Sequence, residues 1–465
     1  MVQYFNSGRM PEGGYLITND FGKYAFIDTE SYRQLCDNTL SPDSELYAGL
    51  REKGFIFDGS VEAFAKEWSE AIQGMKSYCF SGTSLHIFAV TNACNLDCRY
   101  CQAHSKDSAL TGMMDPETGR RAVEVALQSP NKHLTFEFQG GEPLLNFNTI
   151  RDMVLYSKEI NRDKCIDYTV VSNLTLLTDE MLDFFSTNGV SICTSLDGPE
   201  VVHDFNRPYR GSGGGSYRDV IRKINHIRNK GINVNAIQTT TRKSLKYHKE
   251  IVDEYLNLGM DQVFVRPLTP LGLADTSWAD VGYSEQEFLE FYRCLFDHIM
   301  KLNISGTRFV ETQATFFLRK ILYNNAWNYM ELRSPCGASL GQMSYYYDGN
   351  VYTCDEGRMM SEMGNDSFLL GNVYEDSYAD LVRSPVCQTI CKASIIESIP
   401  KCNDCVYQPY CGTCPVVNYA TTNDLYAKNR KDYRCATFKA IMEILFEILR
   451  RNDEEEIRVL YSWIE

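Results

Sequence analysis

Cys94, Cys98 and Cys101 stand as CX3CX2C within TNACNLDCRYCQAH, and a second set, Cys336, Cys354, Cys402, Cys405, Cys411, Cys414 and Cys435, lies toward the C-terminus. Thiolates are soft ligands suited to zinc or to iron–sulfur clusters. Three of them can hold three irons of a [4Fe–4S] cluster and leave the fourth iron open to a small molecule. The alternative at the same residues is a Cys3His zinc site completed by His104. The segment FEFQGGEPLL adds Gly140 and Gly141, where the backbone can approach a ligand closely. Glu142 beside them offers a carboxylate that can pair with an ammonium group. In the second set, CNDCVYQPYCGTC also reads as a zinc ribbon, but seven thiols divide into four plus three better than into two full zinc sites.

The elements that must position these groups are legible as strand and helix in alternation, the pattern of parallel strands joined by crossover helices. Strands are expected at Leu85 to Val90, Leu134 to Phe138, Asp167 to Ser172, Val190 to Leu196, Ile232 to Thr239 and Gln262 to Pro267, with helices such as Pro116 to Leu127 and Tyr217 to Lys230 between them. Six such units make a partial (β/α)6 TIM-like barrel of class α/β, over residues 83–320. The first three thiols then fall at the C-terminal mouth, where barrel enzymes carry their sites. Residues 1–82 read as a hairpin-plus-helices module, with a turn at Asn-Asp-Phe-Gly. Residues 321–465 read as a cysteine-rich region organised by metal, closed by helices with Ile441, Ile444, Leu445, Ile448 and Leu449 on one stripe.

Composition narrows the class. The 465 residues are 44% hydrophobic and 23% charged, which excludes wholesale disorder. Seventeen cysteines are too sparse for a disulfide scaffold. No apolar run reaches the roughly 18 residues of a membrane span, and the opening MVQYFNSGRMPEGG lacks the apolar centre of a signal peptide, so a cytoplasmic protein without a membrane partner is expected. With 46 Lys and Arg against 61 Asp and Glu, the formal charge of −15 weighs against nucleic acid as a partner.

The CX3CX2C after the first barrel strand and the GGEP after the second resemble the signature of the radical SAM superfamily. The resemblance implies that Cys94, Cys98 and Cys101 bind a [4Fe–4S] cluster whose open iron chelates S-adenosyl-L-methionine. It assigns cofactor contacts to Tyr100, Gly140, Gly141, Glu142, Pro143, Ser172, Asn173, Ser195, Asp197, Arg207 and Leu268. The seven later thiols resemble a SPASM domain, the twin-cluster extension of peptide-modifying members of the superfamily, with Cys411 and Cys414 separated by two residues where three are common. By that analogy Cys402, Cys405, Cys411 and Cys435 hold one auxiliary [4Fe–4S] cluster and Cys336, Cys354 and Cys414 the other, three clusters in all. The last set is one ligand short, a place open to water, a substrate thiolate, Cys387 or Cys391. Asp355, with Glu356 as its rival, matches the catalytic base of anaerobic sulfatase-maturing enzymes.

The wording GGYLITNDFGKYAF, FVRPLTPLG and TCDEGRMM looks like the radical SAM maturase of His-Xaa-Ser repeat peptide systems. The implied activity is hydrogen abstraction by a 5′-deoxyadenosyl radical from a ribosomal precursor peptide or protein, giving a crosslink, thioether or oxidation. Its implied partner is a one-electron donor such as flavodoxin or ferredoxin. The alternatives are a formylglycine-generating sulfatase maturase and a non-catalytic iron–sulfur protein that presents a peptide. The N-terminal module resembles a peptide-recognition element that captures a leader by strand addition, with a stabilising cap as the alternative.

Overall fold

The computed structural model describes residues 1–103, 112–323, 332–426 and 433–465; His104 lies outside them. Three short strands, β1 (Asn6–Arg9), β2 (Tyr15–Thr18) and β3 (Tyr24–Ile27), form an antiparallel sheet in that order. The β2–β3 hairpin is the expected one, whereas β1 was not foreseen, because NSGR carries no apolar alternation. Helices Thr29–Cys36, Glu45–Glu52 and Val61–Met75 follow, each started by a side-chain cap from Asp28, Ser44 or Ser60.

Among the described residues the main sheet has ten strands. Strands β4 (Leu85–Thr91), β5 (His133–Gly140), β6 (Cys165–Ser172), β7 (Val190–Ser195), β8 (Val234–Thr239) and β9 (Gln262–Arg266) run parallel in sequence order, and β10 (Val310–Glu311) adds to β9. These are the six expected strands, with ends moved by a few residues. The connecting helices Pro116–Leu127 and Tyr217–Asn229 also fall where expected.

On the other flank of β4, β11 (Gln342–Tyr346) pairs in parallel, followed by antiparallel β12 (Asn350–Tyr352) and β13 (Leu369–Asn372). Strands β11–β13 of the cysteine-rich region therefore continue the barrel sheet. Residues 342–346, QMSYY, are buried throughout, as a strand covered on both faces must be.

Side chains alternate across the barrel wall. Phe88, Phe136, Phe138 and Tyr345 stack on the outer face against the helices. Thr135, Glu137 and Gln139 of β5 take the intervening positions, which face the barrel interior. The helix Tyr433–Arg451 buries Ile441, Ile444, Leu445 and Ile448 and packs Phe446 against Tyr24 and Phe26 of β3. Thr18 donates to the Val406 carbonyl at 2.7 Å and Tyr410 to the Gly22 carbonyl at 3.1 Å, so the N-terminal sheet is docked on the cysteine-rich region.

Candidate active site

The loop after β4 carries the first three thiols at the C-terminal end of the parallel strands. Two glycines at the end of β5 hold that loop. Gly141 donates to the Thr91 carbonyl at 2.9 Å and Glu142 to the Ala93 carbonyl at 2.7 Å. A Cβ at Gly140, where φ is +142°, would stand 2.1 Å from Thr91 O, and one at Gly141 would stand 2.0 Å from Ala93 O. The pair lets the end of β5 approach the chain's own thiol loop closely. Pro143 opens the short 3-10 helix that follows.

Glu142 is buried, and burial pushes its carboxyl up to about 7 against hydrogen bonds that lower it. Its Oε1 accepts from Ser172 Oγ at 2.7 Å and Leu144 N at 3.0 Å, and its Oε2 from Asn173 N at 2.8 Å. Asn173 in turn turns its Nδ2 toward Asn95 Oδ1 at 2.9 Å and toward Cys94 Sγ at 3.9 Å. The ends of β5 and β6 and the thiol loop are therefore one hydrogen-bonded unit.

Asp197 is the second hub. Its carboxylate accepts from Tyr100 Oη at 2.8 Å, Asn206 Nδ2 at 2.9 Å, Arg207 Nε at 3.1 Å and Thr239 N at 3.3 Å. Arg207 lies over the Tyr100 ring at 5.2 Å and reaches within 4.0 Å of Cys98 Sγ. Ser195 is half-buried at the end of β7. Leu268 is buried in the core and donates its N–H to Tyr283 Oη at 2.7 Å. Sequence reasoning missed Asn95 in the thiol loop, Asn206 at the end of the helix Glu200–Asn206 and Thr239 at the end of β8 as members of these networks.

The thiols gather in three groups. Burial first, and then the charges of Cys98, Glu142 and Cys101, push Cys94 well up; burial and Cys101 push Cys98 up to about 12 against the opposing charge of Arg207. Cys411 is raised by burial and then by Cys435, Cys405 and Cys402. Cys354 is raised by burial, Glu356, Cys414 and Cys336. Cys391 pairs with Cys387 on the helix Pro385–Ala393 and also feels the charge of Cys336.

The donor chemistry fits iron–sulfur clusters, since such groups of buried thiols raise one another's protonation until a metal replaces the protons. Among the described residues no three Cys, His, Asp or Glu side chains converge closely enough to clasp one ion.

Asp355 begins the helix Asp355–Glu362, which Cys354 caps by accepting from Gly357 N at 3.3 Å. Its Oδ1 is held by Arg358 through Nη2 at 2.8 Å and Nε at 2.9 Å. Glu356 lies 3.8 Å from Arg434. The far end of this helix reaches the barrel mouth, where Glu362 accepts from Asn92 at 3.2 Å and Met363 Sδ from Gly272 N at 3.2 Å. One short helix thus spans from a thiol of the three-thiol set to the loop that carries Cys94.

Residues 88–251 match the family model of the radical SAM superfamily, and residues 336–406 match that of an iron–sulfur cluster-binding domain, SPASM. An uncharacterised protein of Methanothermobacter thermautotrophicus is 30% identical over 52% of this chain and 89% of its own. Another, of Methanocaldococcus jannaschii, is 32% identical over 40% of this chain and 62% of its own length. A cysteine-type anaerobic sulfatase-maturating enzyme of Clostridium perfringens is 25% identical over 78% of this chain and 96% of its own.

Among solved structures, anSMEcpe with bound AdoMet superposes with a TM-score of 0.68 at 21% identity, covering 82% of this chain and 99% of that one. Streptococcus suis SuiB bound to precursor peptide SuiA gives 0.55 at 15% identity, covering 92% and 99%. The signature thiols at the mouth of a partial barrel, the sequence relatives and the shared fold agree: the chain belongs to the radical SAM superfamily and joins its catalytic domain to a C-terminal iron–sulfur SPASM domain.

Proposed function

We propose that this protein is a peptide- or protein-modifying radical SAM/SPASM enzyme. The observation that carries the reading is the meeting of the CX3CX2C loop with Glu142, Ser172 and Asn173 at one end of the parallel strands. Cys94, Cys98 and Cys101 would hold a [4Fe–4S] cluster and its S-adenosyl-L-methionine, which together supply the 5′-deoxyadenosyl radical when reduced. With the cofactor bound, Glu142 would meet its amino group and Tyr100 and Leu268 would serve the adenine, while Asp197 and Arg207 hold Tyr100. Cys402, Cys405, Cys411 and Cys435 would hold one auxiliary cluster and Cys336, Cys354 and Cys414 the other.

The substrate is a ribosomally made peptide, since solved relatives of the same fold hold peptides. The three-stranded N-terminal sheet ends on β1 and β3, edges able to accept a leader strand. A cytoplasmic flavodoxin or ferredoxin supplies the electron. Co-expression with short candidate peptides, read by mass spectrometry, tests the reading: a mass change in one peptide and release of 5′-deoxyadenosine support it. A protein that binds peptide but releases no 5′-deoxyadenosine is instead a presenting partner.

A formylglycine-generating maturase is the second reading, favoured by the match over 96% of the Clostridium perfringens enzyme. The Kp18Cys and Cp18Cys peptides held by the solved relative are its probes. Their conversion to an aldehyde would establish it over the crosslinking or thioether chemistry of a His-Xaa-Ser-type maturase.

A further inference from the structure

The thiol loop is braced from several sides. From β5 come the Gly141 and Glu142 amides, bonded to the Thr91 and Ala93 carbonyls. From the segment after β7, the Pro208 carbonyl accepts from Asp97 N at 2.8 Å, and Arg210 reaches the Cys94 and Leu96 carbonyls at 3.2 Å each. Both of these braces belong to the barrel. A further one comes from the cysteine-rich region, at the end of the helix Asp355–Glu362. There Glu362 Oε1 accepts from Asn92 Nδ2 at 3.2 Å, two residues before Cys94. The next residue, Met363, accepts at Sδ from Gly272 N at 3.2 Å. Gly272 lies against the exit of the loop: a Cβ there would stand 2.4 Å from Gln102 O and 2.6 Å from Cys101 O, and Leu273 N donates to Cys101 O at 2.9 Å. Two adjacent residues of one helix end thus reach both ends of the thiol loop, one through Asn92 and one through Gly272.

Two features mark Glu362 as placed for the loop rather than for its own helix. A carboxylate in the last turn faces the negative end of the helix dipole, and no basic residue in that turn offsets it. The Asn92 side chain is 4% exposed, and its Oδ1 has no partner among the described residues. The bond to Glu362 is therefore what orients that amide. With an ionised acceptor it is stronger than a neutral hydrogen bond, and burial adds to this.

We propose that Glu362 is a positioning residue for the radical SAM site, so that the barrel completes its thiol loop only with the cysteine-rich region docked on it. The inference rests on the reading that Cys94, Cys98 and Cys101 hold the cluster and its S-adenosyl-L-methionine. The place of the open iron follows the place of the loop, and a misplacement of about 1 Å in a reacting site costs ~10²-fold in rate. Glu362 acts through Asn92 on the entry of the loop, while Met363 and Gly272 support its exit.

The test uses the full-length, cluster-loaded enzyme without peptide, at about pH 8, where both carboxylates of the first variant are ionised. Asn92→Asp sets two carboxylates against each other. It should lower 5′-deoxyadenosine formation by ~10²-fold. It should also abolish the change that S-adenosyl-L-methionine makes in the electron paramagnetic resonance signal of the reduced first cluster, while the signals of the auxiliary clusters stay as in the wild type. Adding Glu362→Gln to Asn92→Asp reverses the bond, because the introduced amide donates to the introduced carboxylate, and should restore most of both readouts. Only residues in direct contact are coupled in this way.

Wild-type cleavage in Asn92→Asp, or the same loss with and without Glu362→Gln, overturns the proposal. Should Asn92→Asp not fold, hydrogen exchange in Glu362→Ala decides: faster exchange at the amides of residues 92 to 98 supports the proposal, and an unchanged rate overturns it. If replacing Cys94, Cys98 and Cys101 together by Ala takes no iron away, it is the cluster reading that fails, and the exchange measurement still decides whether the helix end holds the loop.

Discussion

The Tyr100 hydroxyl is committed to Asp197, a buried carboxylate that also gathers Asn206, Arg207 and the Thr239 amide. Hydrogen bonds to charged groups contribute about 1.5–3 kcal/mol each. Tyr100→Phe keeps the ring under Arg207 and removes only this bond, so urea unfolding should show a loss in that range, whereas a loss under about 0.5 kcal/mol would mean that water replaces the hydroxyl. Arg207 is bound into the same network, which makes it first a partner of Asp197 and Tyr100, and only through them a neighbour of Cys98.

Two elements show how the fold positions the chemistry. The Gly140–Gly141 turn at the end of β5 braces the thiol loop through backbone hydrogen bonds, and no side chain fits there. Gly141→Ala must push residues 92 and 93 away, so after anaerobic reconstitution it should lose about four irons while the other clusters persist. Full iron content in that variant would show that the loop has room to yield.

The second element is the start of the helix Thr312–Tyr323, where Glu311 accepts from Ala314 N at 2.7 Å and from Tyr292 Oη at 2.5 Å. Burial raises Glu311 from 4.5 to about 7 despite these bonds. An acid with a higher pKa in the folded state binds more protons there than in the unfolded chain between the two values. Its stabilising contribution is therefore whole below about pH 4.5 and lost as pH rises through about 7. Denaturant unfolding between pH 5 and pH 8 should show stability falling, and Glu311→Gln should flatten part of that slope, the rest belonging to Glu137 and Glu142. An unaltered slope would place the effect elsewhere.

At the scale of the whole molecule, the barrel sheet and the cysteine-rich region share β4 and β11, and the N-terminal sheet rests on both Val406 and Phe446. Deleting residues 1 to 60 would strip cover from that core, so hydrogen exchange is the cleaner probe of leader docking: amides of β1 or β3 should gain protection when a precursor peptide binds. Ten thiols in three groups predict about twelve irons per chain after anaerobic reconstitution, of which the triple replacement of Cys94, Cys98 and Cys101 by Ala should remove about four. Stoichiometric zinc with no broad visible absorption would overturn all three assignments. Among the described residues no helix is long and apolar enough to cross a membrane.

The spacing of Cys94, Cys98 and Cys101, the GGEP turn and the six strand-helix units were all legible in the amino-acid order, because each depends on local periodicity or on ligands a few residues apart. What spacing cannot carry is the meeting of residues far apart in sequence. Only the tertiary fold brings β11 against β4, Thr18 onto the Val406 carbonyl and Asn92 onto Glu362, because strand pairing and burial are settled by which surfaces exclude water together.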